Sequence, residues 1–501
     1  MRLIMGAMAA WAMAAWALAG CALAGCVLAA GEARADENWA KVAASDVRSA
    51  HQIMLDNHPG PVDPENPNFL PIAEEALAAA LQRAEAVSGP DGYAAVLLGY
   101  TAYFRDGHFA VYAPDLDDAT SRWPGFIVAW RPGLGYVVAD AASDERGLKG
   151  AALLDCDGRD GDALMKESVF AFSPAKPDQI AYRVHNARHL FHDTGNPFAP
   201  APAVCAFRLP SGGYKLLALD WRDTPDDFYE RGVATAFGEG PDETRLRKVR
   251  DGTYWITLPD FSPDADEIER LRELFERLIE DGDAVRNAEA IVIDVRGNGG
   301  GSSAWGDDFV EALWGVVYAG ARPKPSSTAV DWRASPANLA YLKRIVPILK
   351  EQGQTDLVED YVEPIIAGLA GAVDAGAAYY RETDEDPETP LAPAPLNPVR
   401  ADVYVLTPGD CASACLDFLD RLFAVGDVTH IGFPTFSDTN YLEVRQQDLP
   451  SGHGKIAVPL KVYRGRARAS GAVYEPAARY DGLDWSDDAI RDWVFSVIDG
   501  S

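Results

Sequence analysis

The chain is short of positive charge. Its 501 residues hold 45 Lys and Arg against 76 Asp and Glu, a net charge of -31, and no Lys/Arg run breaks that balance. Such a surface repels nucleic acid and anionic membrane, so nucleic-acid binding is excluded as a working class. Cysteine is also sparse: there are six, and no two form a C-x-x-C pair, which argues against a structural zinc ribbon. Glycine clusters occur, but none ends in the Gly-Lys-Ser/Thr of a P-loop, and none has the G-x-G-x-x-G register of a dinucleotide fold. With 48% hydrophobic and 10% aromatic residues the chain still buries a large core, and its length suits two to four domains.

The long uncharged run lies at the start. Arg2 precedes an Ala/Leu/Met/Trp stretch that ends near Ala33-Arg34-Ala35, an A-x-A signal-peptidase pattern. Residues 1–35 are therefore expected to be a signal peptide, placing the protein in the periplasm or outside the cell. Two "LAGC" copies ending at Cys21 and Cys26 offer a lipoprotein anchor as the alternative, and an uncleaved anchor is a third; membrane association is expected in those two cases alone. Cys156, Cys205, Cys411 and Cys415 remain, an even count in a compartment that permits disulfides. The expected pairs are 411 with 415 and 156 with 205.

Residues 36–115 carry apolar residues at helical spacing, as in "FLPIAEEALAAALQRAEAV" and "YAAVLLGYTAYF". Residues 120–225 change to short β-rich runs such as "GFIVAW" and "YKLLALDW". From 230 to 501 strands alternate with amphipathic helices, the signature of an α/β layer. An insertion at about 326–400 is expected to be helical, followed by the Pro-rich acidic linker "ETDEDPETPLAPAPLNP".

Two elements in the last region bear chemistry. The cluster "DVRGNGGGSS", from Asp294, follows a buried-type strand and precedes a helix, so its amides can converge on an anion; a tight turn without ligand is the plainer alternative. In "GDCASACLDF", Ser413 follows the strand "DVYVLT" and precedes a helix with Leu416, Leu419, Leu422 and Phe423 on one side. That context presents a serine at the top of a sheet, resembling a nucleophile elbow. A serine there can equally be a helix N-cap.

Together with "TYWITLPDF", these segments resemble the C-terminal processing, or tail-specific, serine peptidase family, over roughly residues 230–490. In that family a "Y-I-x-L-x-x-F" strand, a "D-x-R-x-N-x-G-G" strand end and an "S-A-S" turn occur in this order. The resemblance implies an α/β catalytic domain of the ClpP/crotonase type, and a PDZ-like middle module carried by "GLKGAALLDCDGRDGDAL". It implies Ser413 as nucleophile, with the Ala414 amide and the Gly299/Gly300 turn as oxyanion donors. The family's dyad branch puts a general-base lysine at the end of the segment that reads "VTHIGFPTFSD" here, and this chain has Asp438 at that place. Lys455 is the nearest later lysine and the alternative base.

The tricorn-like branch replaces the lysine with a histidine in a "D-G-H" turn after a helix, and Asp106-Gly107-His108 matches it. Histidine accepts a proton near neutral pH without special burial. Glu475, in "GAVYEPAARYDG", resembles the branch's glutamate that orients the histidine; Asp410 and Asp438 are the alternatives. A further cluster, His185, His189 and His192, has the spacing of one helical face; zinc there is the weaker reading, because the H-E-x-x-H register is missing. The expected function is thus an exported serine endopeptidase acting on peptide or protein substrates, with no cofactor and no metal. The rival is a non-catalytic peptide-binding relative that has lost its base.

Overall fold

The computed structural model describes residues 38–500, apart from 115, 117–119, 323–328, 352, 354 and 384–394. The expected signal peptide and most of the acidic linker lie outside the described residues. No described helix is long and apolar enough to cross a membrane.

Three helices, Trp39–Asn57, Phe69–Ala84 and Pro90–Thr101, open the described chain. Small residues at helical spacing, among them Ala43, Val47 and Ala50 on the first and Ala73, Ala76 and Ala80 on the second, are fully buried and let the helix axes approach. The middle module is a five-stranded antiparallel sheet, in the order Phe126–Arg131, Gly135–Ala141, Ala152–Cys156, Val204–Arg208 and Tyr214–Ala218. Between its third and fourth strands the chain makes a helical excursion that closes a separate core over Phe126, Phe191 and Phe207. Cys156 faces Cys205 across that strand pair, and the two form a disulfide.

The α/β layer has six strands, in the order Ala478–Arg479, Val428–Gly432, Asp402–Thr407, Ala290–Asp294, Thr253–Thr257 and Arg245–Arg250. All neighbours run parallel except the last pair. The central strands are apolar on both faces because both are covered. Ile291, Ile293, Val403 and Val405 pack under the helices Ala265–Asp281, Ser303–Trp314 and Ala414–Val425, whereas Val292, Tyr404 and Leu406 pack toward the C-terminal helix Asp487–Gly500. Residue alternation along each strand thus feeds two cores.

A second sheet corrects the expected helical insertion. The helices Pro336–Glu351 and Glu363–Asp374 are present, but strands Ala329–Arg333 and Tyr379–Thr383 flank them and pair antiparallel with each other. The first also pairs with Lys455–Arg464, which pairs along most of its length with Tyr441–Asp448. The same long strand receives Ala110–Tyr112 from the N-terminal region, with Ala110 opposite Ala457. The region read as helical, residues 36–115, therefore ends in a strand that joins a sheet of the C-terminal half. That strand follows His108 directly.

Candidate active site

The glycine turn is anchored from below. Asp294, fully buried at the end of its strand, accepts hydrogen bonds from Trp255 Nε1 (3.1 Å), the Arg296 amide (3.0 Å) and Arg296 Nη2 (2.8 Å). Arg296 also reaches Asp487 Oδ1 at 2.8 Å, so the D-x-R pair clamps the C-terminal helix to the turn. Asn298 donates to Leu258 O (3.0 Å) and accepts the Gly300 amide (3.0 Å). Gly300 has φ +115°, and a Cβ there would stand 2.7 Å from Ala412 O and 2.8 Å from Ser413 Cβ. Glycine is required because the turn lies directly against the serine.

Ser413 itself has φ 53° and ψ -124°, a left-handed conformation that non-glycine residues adopt at a cost. Its side chain makes no capping bond to the helix Ala414–Val425, so the helix-cap reading of this serine fails. Its amide is instead held by Asp438 Oδ2 at 2.8 Å. Among the described residues, neither the Ser413 hydroxyl nor the Gly299 and Ala414 amides have a hydrogen-bond partner, whereas the Gly300 amide is committed to Asn298. Cys411 and Cys415 are both fully buried and form a disulfide across the turn, with Cα atoms 5.4 Å apart. The staple and a half-buried serine with an unbonded hydroxyl coexist.

His108 comes from the other end of the chain. Arg105 takes a left-handed turn (φ 51°) after the helical segment, and Asp106 Oδ1 accepts the His108 amide at 2.9 Å. The same oxygen is 3.6 Å from His108 Nδ1. Thr439 Oγ1 donates to the other Asp106 oxygen at 3.0 Å. Consecutive residues Asp438 and Thr439 therefore tie the serine turn and the histidine turn together. Burial works to lower the His108 pKa, but the Asp106 and Asp438 carboxylates outweigh it and the Arg466 guanidinium, and the net shift is upward. Asp438 thus acts on both turns.

The middle module braces this bridge. Lys176 Nζ donates to Ser437 Oγ (2.7 Å), Ser437 Oγ donates to Gln179 Oε1 (2.8 Å), and Tyr182 donates to Ser437 O (3.0 Å). Behind the serine helix, Arg466 and Arg468 contact Asp417, and Arg468 Nη1 comes within 3.9 Å of Asp438 Oδ2. These groups fix the carboxylate that holds the Ser413 amide.

The remaining expected residues lie elsewhere. Glu475 is exposed; among the described residues its side chain makes no hydrogen bond or ion pair, and its backbone faces the His430 ring. Asp410 is pushed toward protonation by burial, and its Oδ1 lacks a partner among the described residues. Lys455 ion-pairs with Asp448 at 2.7 Å. In the histidine cluster, Arg188 donates to His189 Nε2 (3.2 Å) and lies 2.9 Å from His185 Nε2, while His192 Nε2 meets Ser121 Oγ at 2.8 Å. A guanidinium fills the space a metal would need. Burial, helped by Arg188, lowers the His185 pKa to about 3. What the motif reading missed is the part played by Asp106. A carboxylate two residues before the histidine forms an Asx turn, and that spacing was visible in the letters.

No family model matches the chain, and no curated protein matches it. Solved structures do. Mature CPAF aligns over 93% of this chain and 99% of that chain, at 14% identity and a TM-score of 0.60. Mature CPAF complexed with lactacystin aligns over 93% and 100%, at 14% identity and a TM-score of 0.61. The photosystem II D1 C-terminal processing protease aligns over 89% and 98%, at 13% identity and a TM-score of 0.36. At such identities the likeness is one of fold: nearly the whole described chain has the architecture of mature CPAF.

Proposed function

We propose that the protein is an exported serine peptidase in which Ser413 attacks a peptide carbonyl and His108 takes and returns the proton. The Gly299 and Ala414 amides receive the oxyanion, aided by the positive end of the helix Ala414–Val425. Asp106 is assigned the role of orienting His108, in place of Glu475, because it is the carboxylate beside Nδ1. Asp438 is a positioning residue for the Ser413 turn. The observation that carries the reading is the Asp438–Thr439 bridge, which holds a strained serine with a free hydroxyl and a carboxylate-flanked histidine by adjacent residues.

One observation favours the rival, a non-catalytic peptide binder: among the described residues no hydrogen bond joins Ser413 to His108. Catalytic hydrogen bonds are often long before substrate binds, so the absence does not decide. A fluorophosphonate probe does. Wild type should label, Ser413→Ala should not, and His108→Ala should label orders of magnitude more slowly. Asp106→Asn should slow labelling far more than Glu475→Gln. Lactacystin, the ligand seen with mature CPAF, should compete with the probe. An unlabelled wild type would favour the peptide binder.

A further inference from the structure

An open cavity of about 510 Å3 lies between the N-terminal helices and the middle module, beside the His108 turn. It is lined by four cations, Arg83, Arg105, Lys166 and Arg183, in a chain of net charge -31. Asp162 is the carboxylate in the lining, and Arg183 already pairs with it at 2.8 Å. Asp178 acts on Arg105 from nearby. Arg105 Nη1 spends its donor capacity on the carbonyls of Phe170, Ser173 and Ala175, which fixes its charge at the cavity wall.

Arg83 is the less satisfied group. It stands over the Phe172 ring at 5.0 Å and fits because Gly99 has no side chain: a Cβ there would be 2.5 Å from Arg83 Nη1. That Nη1 is buried and has no acceptor among the described residues. Lys166 is exposed and likewise makes no ion pair among them. A buried guanidinium donor without an acceptor is costly, and a carboxylate is the partner whose geometry it matches. The rest of the lining, including Met165, Phe170 and Pro177, is apolar and suits the stem of a side chain.

We propose that this cavity binds acidic side chains of a peptide, so that a substrate presents a Glu- or Asp-bearing segment here while another part lies at Ser413. The second clause rests on the peptidase reading; the first does not. Binding against the overall charge of the protein requires a local basic site, and this is the described cavity where cations outnumber carboxylates most clearly.

The test uses the full-length Ser413→Ala protein, which cannot cleave, and fluorescein-labelled hexaglutamate and hexaglutamine peptides, each as free acid and as C-terminal amide. Fluorescence anisotropy should show saturable, salt-sensitive binding of both hexaglutamate forms and none of hexaglutamine. Arg83→Gln with Lys166→Gln should weaken hexaglutamate binding about tenfold or more, the loss of charge-assisted hydrogen bonds. Lys166→Glu, a change at an exposed position, should weaken it without altering the melting temperature. Equal binding of hexaglutamine, undiminished binding in both variants, or binding by the free acids alone regardless of side chain would each overturn the assignment. Because cleavage is not measured, failure here leaves the Ser413 reading standing, and failure of probe labelling leaves this site standing.

Discussion

Gly299 and Gly300 differ by one position and should differ completely in what alanine does to them. At Gly300 an added Cβ meets Ala412 O at 2.7 Å and Ser413 Cβ at 2.8 Å, with φ +115° adding backbone strain. Strain of this kind and overpacking of a tight contact together cost about 2–5 kcal/mol. The cheapest relief is to push the serine turn away by roughly half an ångström or more. Misplacing a nucleophile by about 1 Å costs on the order of a hundredfold in rate. At Gly299 a Cβ meets nothing within 4 Å, and alanine keeps the amide proposed to hold the oxyanion. The assay is the second-order rate of fluorophosphonate labelling, with urea denaturation in parallel. Gly300→Ala should lose about a hundredfold in labelling and a measurable part of its stability, and Gly299→Ala should lose little of either. Equal behaviour of the two variants would refute the placement of the glycine turn against Ser413.

Asp438→Asn should lower the plateau labelling rate, because the Ser413 amide loses a charged acceptor. It should also move the acid limb of the pH–rate profile to lower pH, since the carboxylate that favours protonated His108 is gone; an unmoved limb would separate Asp438 from the histidine. Replacing Cys411 and Cys415 by serine opens a bridge of sequence separation 4, worth about 2 kcal/mol on chain entropy, and should lower both melting temperature and labelling rate. Arg296→Met strands the fully buried Asp294 carboxylate and should cost about 3–5 kcal/mol by chemical denaturation, with no change in probe specificity for Ser413.

Much of the C-terminal half was legible because its signals are local. A buried strand, a glycine-rich end and a strand-turn-helix around Ser413 each declare themselves within about ten residues. The bridge between them does not. Asp438 was noticed as a missing lysine, and its bond to the Ser413 amide depends on a fold that brings residues 25 apart together. The strands "AVDWR" and "YYRET" were absorbed into a helical reading because five-residue runs beside long helices carry little periodicity, and their partners lie far away in sequence. The histidine cluster shows the opposite case. Its letters suggested one helical face, but the helix ends at Asn186, His192 lies beyond it, and Arg188 supplies the cation that His185 and His189 face.

The pairing of Ala110–Tyr112 with Lys455–Ala457 also sets an order of events during synthesis. The histidine turn leaves the ribosome early, yet the strand that seats it emerges after the serine. A chain still being made holds Ser413 and His108 with nothing to align them. Completion of the last strands is therefore what brings the histidine turn and the serine turn together.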